Sequence, residues 1–167
     1  PPAKAGLLRR DISVPDFRSD DLTISSVFIG DVEALATPLT PEEQEENPYT
    51  FGSMRVVPST DSRLPKSGEL QVLFWIYGAA QTDGKPDMQI EYSFHQQTAD
   101  GETYFNKTEP QVLNATTLPP QFDIAAGHQL PGSIVIPLAS FPEGEYRLEI
   151  KLTDSVSGRT LTHNATF

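Results

Sequence analysis

Residues 141–154 read FPEGEYRLEIKLTD, and they decide the fold class of this chain. Apolar residues stand at the even positions from 146 to 152, and charged residues stand at the odd positions from 145 to 151. An alternation with a period of two is typical of a β-strand with one buried face and one face in water. A glycine-containing turn at 155–158 and a second strand complete a predicted hairpin. Its outer face is an ordinary charged surface, so the hairpin indicates a scaffold and points to no chemistry.

The same criteria predict further strands along the chain. The 15 prolines and 11 glycines indicate many turns, and residues 98–101 (TADG) end in Asp-Gly, a strong hairpin signal. No run of about ten helix-forming residues appears, so we predict an antiparallel sandwich of about seven to nine strands. Besides the closing hairpin, the predicted strands are 22–29, 50–57, 69–77, 87–97, 102–106 and 132–138.

The first 49 residues give weaker signals. Residues 1–20 contain one short apolar alternation at 8–14, which we interpret as a linker or an edge strand. Residues 37–49 contain three prolines and the acidic run EEQEE. Pro41 followed by acids could begin one helical turn, because acids favour a helix N-terminus. We favour the other interpretation, a mobile, solvated loop.

We therefore predict two parts. Residues 1–49 form an N-terminal extension with an added strand and an acidic loop, packed on the sandwich. Residues 50–167 form an immunoglobulin-like (fibronectin III/macroglobulin-like) β-sandwich. Tyr146 follows a Pro-Glu-Gly corner, where a tyrosine corner would place its hydroxyl against the preceding loop, although it could equally be an ordinary core aromatic. The single Trp75 lies in mid-strand, as it does on strand C of many such folds.

Parts of the chain resemble a known family. Residues 142–148 (PEGEYRL), leading to Asp154 and to 157–159 (SGR), look like the closing hairpin of macroglobulin-type and related immunoglobulin-like modules. Three further regions together resemble the C-terminal module of large secreted acidobacterial proteins, where it follows a von Willebrand factor A-related domain: 11–17 with 22–26, 54–58, and 70–78. The resemblance covers most of the chain and implies a cell-envelope or secreted module without catalytic residues. The Asp-x-Ser-x-Ser metal motif of von Willebrand A domains is absent, so no adhesion-site residues carry over.

Composition narrows the class of protein. The formal net charge of −11 repels phosphate backbones, so we expect no nucleic-acid partner. The absence of cysteine excludes disulfides and thiolate sites and favours a bacterial protein. No apolar run approaches the roughly 20 residues of a membrane span, so we expect no membrane insertion. We expect an extracytoplasmic location (periplasmic, cell-surface or secreted) and interpret the chain as a fragment whose targeting segment lies elsewhere.

The strand predicted at 69–77 is apolar on both faces, which a strand in a two-layer sandwich does not require. One face contains Leu70, Val72, Phe74 and Ile76. The other contains Gln71 and three large apolar residues, Leu73, Trp75 and Tyr77. Either the N-terminal segment or a long loop covers this second face, or the three residues form an exposed contact patch for a glycan or a neighbouring domain.

No motif identifies a catalytic or metal centre. The spacing of His95, His128 and His163 matches no metal-binding pattern. Loop carboxylates could join a calcium site, although capping and turn roles are the simpler interpretation; they are Asp16, Asp20, Asp21, Asp83 and Asp87. The chain contains no nucleophile elbow, phosphate loop or dinucleotide fingerprint, so we predict no enzymatic activity and no cofactor.

These observations predict a non-catalytic module of a larger secreted or cell-envelope bacterial protein, which contacts other domains of its chain or another protein, or acts as a spacer. The first alternative is a carbohydrate-binding module that uses exposed aromatics such as Trp75 and Tyr77. The second is a hydrolase with paired carboxylates in the long loops. Burial of Trp75 would count against the glycan platform. The three Asn-x-Thr sequons, at Asn106, Asn114 and Asn164, are interpreted as coincidence in a bacterial chain.

Overall fold

A computed structural model describes residues 9, 11, 15–51, 53–59 and 63–167. These ranges form an all-β protein in which antiparallel sheets pack together, with one short α-helix. The predicted linker or edge strand at 8–14 lies largely outside them. The elements are β1 (Thr23–Ile24), β2 (Phe28–Ala34), α1 (Pro41–Glu46), β3 (Thr50–Phe51), β4 (Met54–Pro58), β5 (Glu69–Tyr77), β6 (Gln81–Thr82), β7 (Lys85–Pro86), β8 (Met88–Thr98), β9 (Gly101–Lys107), β10 (Gln111–Leu113), β11 (Leu130–Pro137), β12 (Tyr146–Asp154) and β13 (Thr160–Thr166).

β8 and β12 form the centre of a five-stranded sheet. They pair antiparallel over the full length of β12, whose other side pairs with β13. β9 and β10 both pair with the opposite edge of β8. The predicted hairpin at 98–101 is confirmed, and its Gly101 has a φ of 117°, a conformation that glycine adopts without strain.

β5 is the central strand of a six-stranded sheet. β11 pairs with one side of it from Leu130 to Pro137. On the other side, β1 pairs near the C-terminal end of β5, and the first two residues of β2 pair near its middle. From Gly30 onward, β2 pairs instead with β4, which in turn pairs with β3. We call residues 30–34 of β2, together with β3 and β4, the leaf.

The main hydrophobic core lies between the two sheets. Even-numbered residues of β5, β8 and β12 line it, so the faces that the alternations predict as buried are confirmed. β11 approaches this core closely at Gly132, where any Cβ atom would overlap the ring of Phe74. The most deeply buried large side chains of the core are Leu70, Val72, Phe74, Met88, Ile90, Tyr92, Phe94, Leu130, Leu148, Ile150 and Leu152.

Two predicted strand boundaries in the N-terminal region are wrong. Gly30 does not end a strand, because β2 continues through it to Ala34. The strand predicted over 50–57 is instead two strands, β3 and β4, that pair as a hairpin. Gly30 is needed for close approach rather than for termination: a Cβ atom there would lie 2.8 Å from Cα of Pro58. The predicted division after residue 49 passes through the leaf, which combines β2 with β3 and β4.

The acidic run forms α1, so the predicted acidic loop is wrong there and the helical alternative is correct. Thr40 and Glu43 form a reciprocal cap. Glu43 N–H donates to Thr40 Oγ1 at 3.3 Å, and Thr40 N–H donates to Glu43 Oε2 at 2.9 Å. No residue of α1 is buried, so this cap, rather than packing, determines where the helix begins.

Tyr146 occupies the position predicted for a tyrosine corner. Its hydroxyl donates to the carbonyl oxygen of Pro142 at 2.8 Å, and its ring is 3% exposed. Burial raises the pKa of the Tyr146 phenol. Tyr146 is therefore both a core aromatic and the donor that ties the 142–145 corner to the start of β12.

Candidate functional site

The second face of β5 lies inside a separate, smaller core. Leu73 and Trp75 are only 3% and 5% exposed, and Val56 of β4 is buried with them. We call this cluster the leaf core, because the leaf covers it. Its partly buried members are Phe28, Val32, Phe51 and Tyr77.

Aromatic rings hold Trp75 from two strands. The ring centroid of Phe51 lies 4.2 Å from that of Trp75, and Phe28 meets Trp75 edge-on at 6.0 Å. Aromatic pairs of this kind contribute about 0.5–1.5 kcal/mol beyond the area that they bury. The leaf is thus attached to β5 by ring packing in addition to the short ladder at Phe28 and Ile29.

Hydrogen bonding fixes where the leaf crosses β5. After Ile29 the backbone of β2 leaves β5, and the N–H of Val32 donates to Oε1 of Gln71 at 3.0 Å. Gln71 is the polar member of the second face of β5, so its side chain satisfies a leaf amide instead of facing solvent. The leaf consequently lies over the face of β5 that the sequence leaves unexplained.

Two of the three residues of the predicted contact patch (Leu73, Trp75 and Tyr77) are therefore buried. Leu73 and Trp75 contact the leaf, and Tyr77 is half-buried with its ring 4.6 Å from Phe17. A glycan platform on β5 requires accessible rings, which Trp75 does not offer. Of the two interpretations of this face, the structure shows the covered one. The exposed tyrosines lie elsewhere: Tyr49 is 47% exposed and Tyr104 is 59% exposed.

A second cluster surrounds a buried carboxylate at the end of β12. Asp154 is fully buried and accepts hydrogen bonds from Ala80 N at 3.0 Å, Val156 N at 3.0 Å and Ser157 Oγ at 2.6 Å. Burial alone would raise the pKa of Asp154, but these hydrogen bonds outweigh it and lower the pKa below its usual value. The carboxylate therefore connects the β12–β13 turn to the loop that follows β5.

Arg159 extends this cluster to the N-terminal segment. Its guanidinium donates to the carbonyl oxygens of Asp20 and Gly78, and its Nε donates to Ser157 Oγ at 2.9 Å. Nη2 also lies 3.6 Å from Asp154 Oδ2. Each of the three guanidinium nitrogens thus donates a hydrogen bond to a protein oxygen. Arg159 therefore links three chain segments, at Asp20, Gly78 and Ser157, and we call it the Arg159 latch.

The outer face of the five-stranded sheet contains a charge network centred on Arg147. Arg147 donates to both carboxylate oxygens of Glu102 at 2.8 and 2.7 Å, to Glu149 at 3.0 Å and to Asn164 at 2.6 Å. The bond from Arg147 lowers the pKa of Glu102. Because these groups are partly exposed, solvent screens their attraction and each pair adds little to stability. Tyr104 stands beside this network, with its ring centroid 5.8 Å from that of His95.

The remaining sequence candidates do not converge. His95 lies on β8 and His163 on β13, whereas His128 Nδ1 accepts from Asp123 N at 3.0 Å in a loop. Within the described ranges, no three His, Asp or Glu side chains are close enough together to hold a metal ion. The five loop carboxylates considered for calcium therefore form no such group. No helix in the described part of the chain is long and apolar enough to cross a membrane.

The chain matches no protein-family model, no curated protein and no solved structure at a level that indicates relationship. Its class is therefore stated from its architecture alone: an all-β protein of packed antiparallel sheets with one short helix in the described residues.

Asp154 is a buried carboxylate that the sequence analysis missed, and a signal for it exists. The alternation in β12 places even-numbered residues in the core, and Asp154 continues that face. A carboxylate at a predicted core position is costly unless it is hydrogen-bonded, so its position alone indicates a structural or functional role.

Replacing Trp75 with Ala should lower the free energy of unfolding by about 3–5 kcal/mol, because it removes the indole on which Phe28 and Phe51 pack and leaves a cavity. Urea unfolding followed by far-UV circular dichroism measures this change without relying on the lost tryptophan. Tyr104→Ala is the control, since a 59% exposed side chain should matter little, by less than about 0.5 kcal/mol. A loss below about 1 kcal/mol for Trp75→Ala would contradict the leaf core.

Replacing Asp154 with Asn should remove a pH-dependent part of the stability. The folded pKa of Asp154 is lowered, so its contribution is present above the unfolded value of about 3.9 and disappears as the pH falls through the folded value. We expect a loss of about 1–3 kcal/mol at pH 6 that shrinks as the pH falls below the unfolded value. Unfolding curves at several pH values test this. The control is Asp100→Asn, at an exposed turn residue, which should keep the wild-type pH dependence of stability. If Asp154→Asn lost the same stability at every pH, the Asp154 carboxylate would not be the source of the pH dependence.

Proposed function

We propose that this chain is a non-catalytic, immunoglobulin-like β-sandwich module of a larger extracytoplasmic bacterial protein, in which it spaces and contacts neighbouring domains. The order of its strands supports the immunoglobulin-like assignment. One sheet joins β1 and β2, then β5, then β11, and the other joins β9, β8, β12 and β13. In chain order these correspond to strands A, B and E facing C′, C, F and G.

Two details refine this assignment. β12 takes the position of strand F, and the bond from the Tyr146 hydroxyl to Pro142 is the one that a tyrosine corner makes there. β5 takes the position of strand B rather than strand C, so Trp75 is not the equivalent of the strand C tryptophan. The leaf is then an addition to the sandwich, positioned beside its first strand.

One observation carries the spacing role: Asp20 and the end of β13 lie at opposite ends of the sandwich. Asp20 is bound by Arg159 at the start of β13, whereas Phe167 stacks on Tyr146 at the far end of that hairpin, with ring centroids 5.5 Å apart. β12 has nine residues, so these ends are separated by about 30 Å. Domains attached at the two ends would be held apart by the length of the sandwich.

The surface charge supports a protein partner rather than nucleic acid or an anionic membrane. A net charge of −11 opposes contact with nucleic acid and with anionic lipid, and it favours solubility outside the cell. The chain lacks cysteine, which agrees with a bacterial rather than a eukaryotic secreted sandwich.

A carbohydrate-binding role is the second candidate, and the exposed ring of Tyr104 favours it. Tyr104 lies beside the hydrogen-bonding groups of Glu102, Arg147 and Asn164, and a sugar that stacks on an aromatic ring needs such groups around it.

Distance measurement between the two ends tests the geometry of the spacer. The chain has no cysteine, so Arg18→Cys and Thr166→Cys allow two spin labels to be attached selectively. Pulsed electron paramagnetic resonance should give one narrow distribution centred at about 30–40 Å, because the Arg159 latch fixes the entry point. A short or very broad distribution would contradict the spacing role.

Domain replacement in the parent protein then separates spacing from contact. An unrelated sandwich with ends at opposite poles should restore the reach between the flanking domains, whereas a flexible linker of equal residue number should not. If the sandwich restores reach but not partner binding, the module also supplies a contact surface. If the flexible linker performs as well as the sandwich, the spacing role is wrong.

Glycan binding is tested by titrating a panel of oligosaccharides into labelled protein and following amide shifts by NMR. Binding at the exposed sheet face should shift amides of β8, β9 and β12. Tyr104→Ala should abolish these shifts, and Tyr104→Phe should retain them, since stacking requires the ring and not the hydroxyl. Saturating shifts that survive Tyr104→Ala would place any glycan elsewhere.

A further inference from the structure

β13 is an open edge of the five-stranded sheet. Tyr146 and Phe167 exchange backbone hydrogen bonds at 2.9 and 3.0 Å, and Asp154 N–H donates to the carbonyl oxygen of Arg159 at 2.8 Å. In an antiparallel ladder the bonded residues alternate, so the odd-numbered residues of β13 bond to β12. The even-numbered residues therefore direct their N–H and C=O groups away from the sheet, where no described residue pairs with them. They are Thr160, Thr162, Asn164 and Thr166.

β11, an edge strand of the six-stranded sheet, is protected by proline, unlike β13. Trp75 exchanges hydrogen bonds with Ser25, so its backbone groups point away from β11. Its neighbour on β11, Pro131, must then point outward, and the same parity places Pro137 outward. Two of the four outward-facing positions of β11 thus lack an N–H, a common way of preventing edge-to-edge pairing.

β13 contains none of these protective features. Its sequence TLTHNAT includes no proline, lysine or acidic residue, and its ladder with β12 has no register shift. The four outward-facing residues are all exposed. Three of them are threonines, which favour extended backbone. On a chain of net charge −11, this uncharged strand adds no local repulsion towards a second copy.

We propose that β13 pairs antiparallel with β13 of a second copy, so that one continuous sheet crosses two sandwiches. This self-association goes beyond the spacing role, which does not require it. With His163 on the two-fold axis, Thr160 faces Thr166 of the other copy and Thr162 faces Asn164. Every outward-facing backbone group of both strands then has a partner, and no charged residue lies opposite another.

The charges of β12 fit the same register. Glu149 lies beside Asn164 and Lys151 lies beside Thr162. Pairing Asn164 with Thr162 of the second copy therefore places Glu149 of one copy in the same row as Lys151 of the other. The net charge of each copy still opposes approach, and this long-range repulsion is screened over about 8 Å at physiological ionic strength. We expect the association to strengthen as salt is added, unlike binding that depends on attraction between ion pairs.

Thr162→Pro tests the proposal. The N–H of Thr162 points outward, so proline removes a donor from the open edge without breaking a bond to β12. Sedimentation equilibrium of the whole chain at 0.5 M salt should show a monomer–dimer equilibrium, and Thr162→Pro should raise its dissociation constant by about tenfold or more, since both copies carry the change. Thr162→Ser keeps the N–H and should behave as the wild type does.

Hydrogen exchange of the unmodified chain provides a second readout that is independent of any variant. The amides of the four outward-facing residues should exchange rapidly at low concentration and become protected as concentration rises, while those of Ser133 and Val135 on β11 should not change. A monomer at all concentrations would overturn the proposal. So would a dimer that survives Thr162→Pro, or protection of the β13 amides that does not depend on concentration, because either result would mean that something else occupies this edge.

Discussion

Burial of β5 on both faces is the constraint on which the rest of the structure depends. Its even-numbered side chains fill the core between the sheets, and Leu73 and Trp75 on the other face would expose a large apolar area in a two-layer sandwich. A third layer is therefore required, and the leaf supplies it through Phe51, with Phe28 of β2 packed beside that ring. Residues 28–34 are consequently part of the folded unit, because Phe28 and Val32 help to cover the indole of Trp75.

The second organising contact is the cluster of Asp154 and Arg159, which acts over a longer range of sequence. Asp154 binds the loop after β5, and Arg159 binds the carbonyl oxygens of Asp20 and Gly78. Asp20 is thereby fixed to one end of the sandwich, while Phe167 lies at the other. The separation of the two ends, on which the proposed spacing role rests, thus depends on a buried carboxylate and a fully engaged guanidinium rather than on a binding pocket.

With the sandwich and the leaf packed together, two surfaces remain as candidates for function: the edge strand β13 and the outer face of the β8–β12 sheet. β11 is protected by Pro131 and Pro137, whereas the even-numbered backbone groups of the uncharged β13 have no partner among the described residues. The outer face of the β8–β12 sheet binds its own charges together through Arg147. This distribution agrees with the proposal that the protein acts by contact and position.

The sequence by itself determined the elements whose periodicity is local. The alternation in β8 and β12, the Asp-Gly turn at 98–101 and the bond of the Tyr146 hydroxyl follow from residues close together in the chain. The alternation also predicts that Asp154 is buried, but it does not predict which groups donate hydrogen bonds to its carboxylate. Only the tertiary structure decided what covers Trp75, because that depends on β2 leaving β5 at Gly30, and the glycine is needed there for an approach of Pro58 that lies 28 residues away in sequence. Local patterns state which faces must be buried, whereas the partner that buries each face is determined by contacts between distant segments.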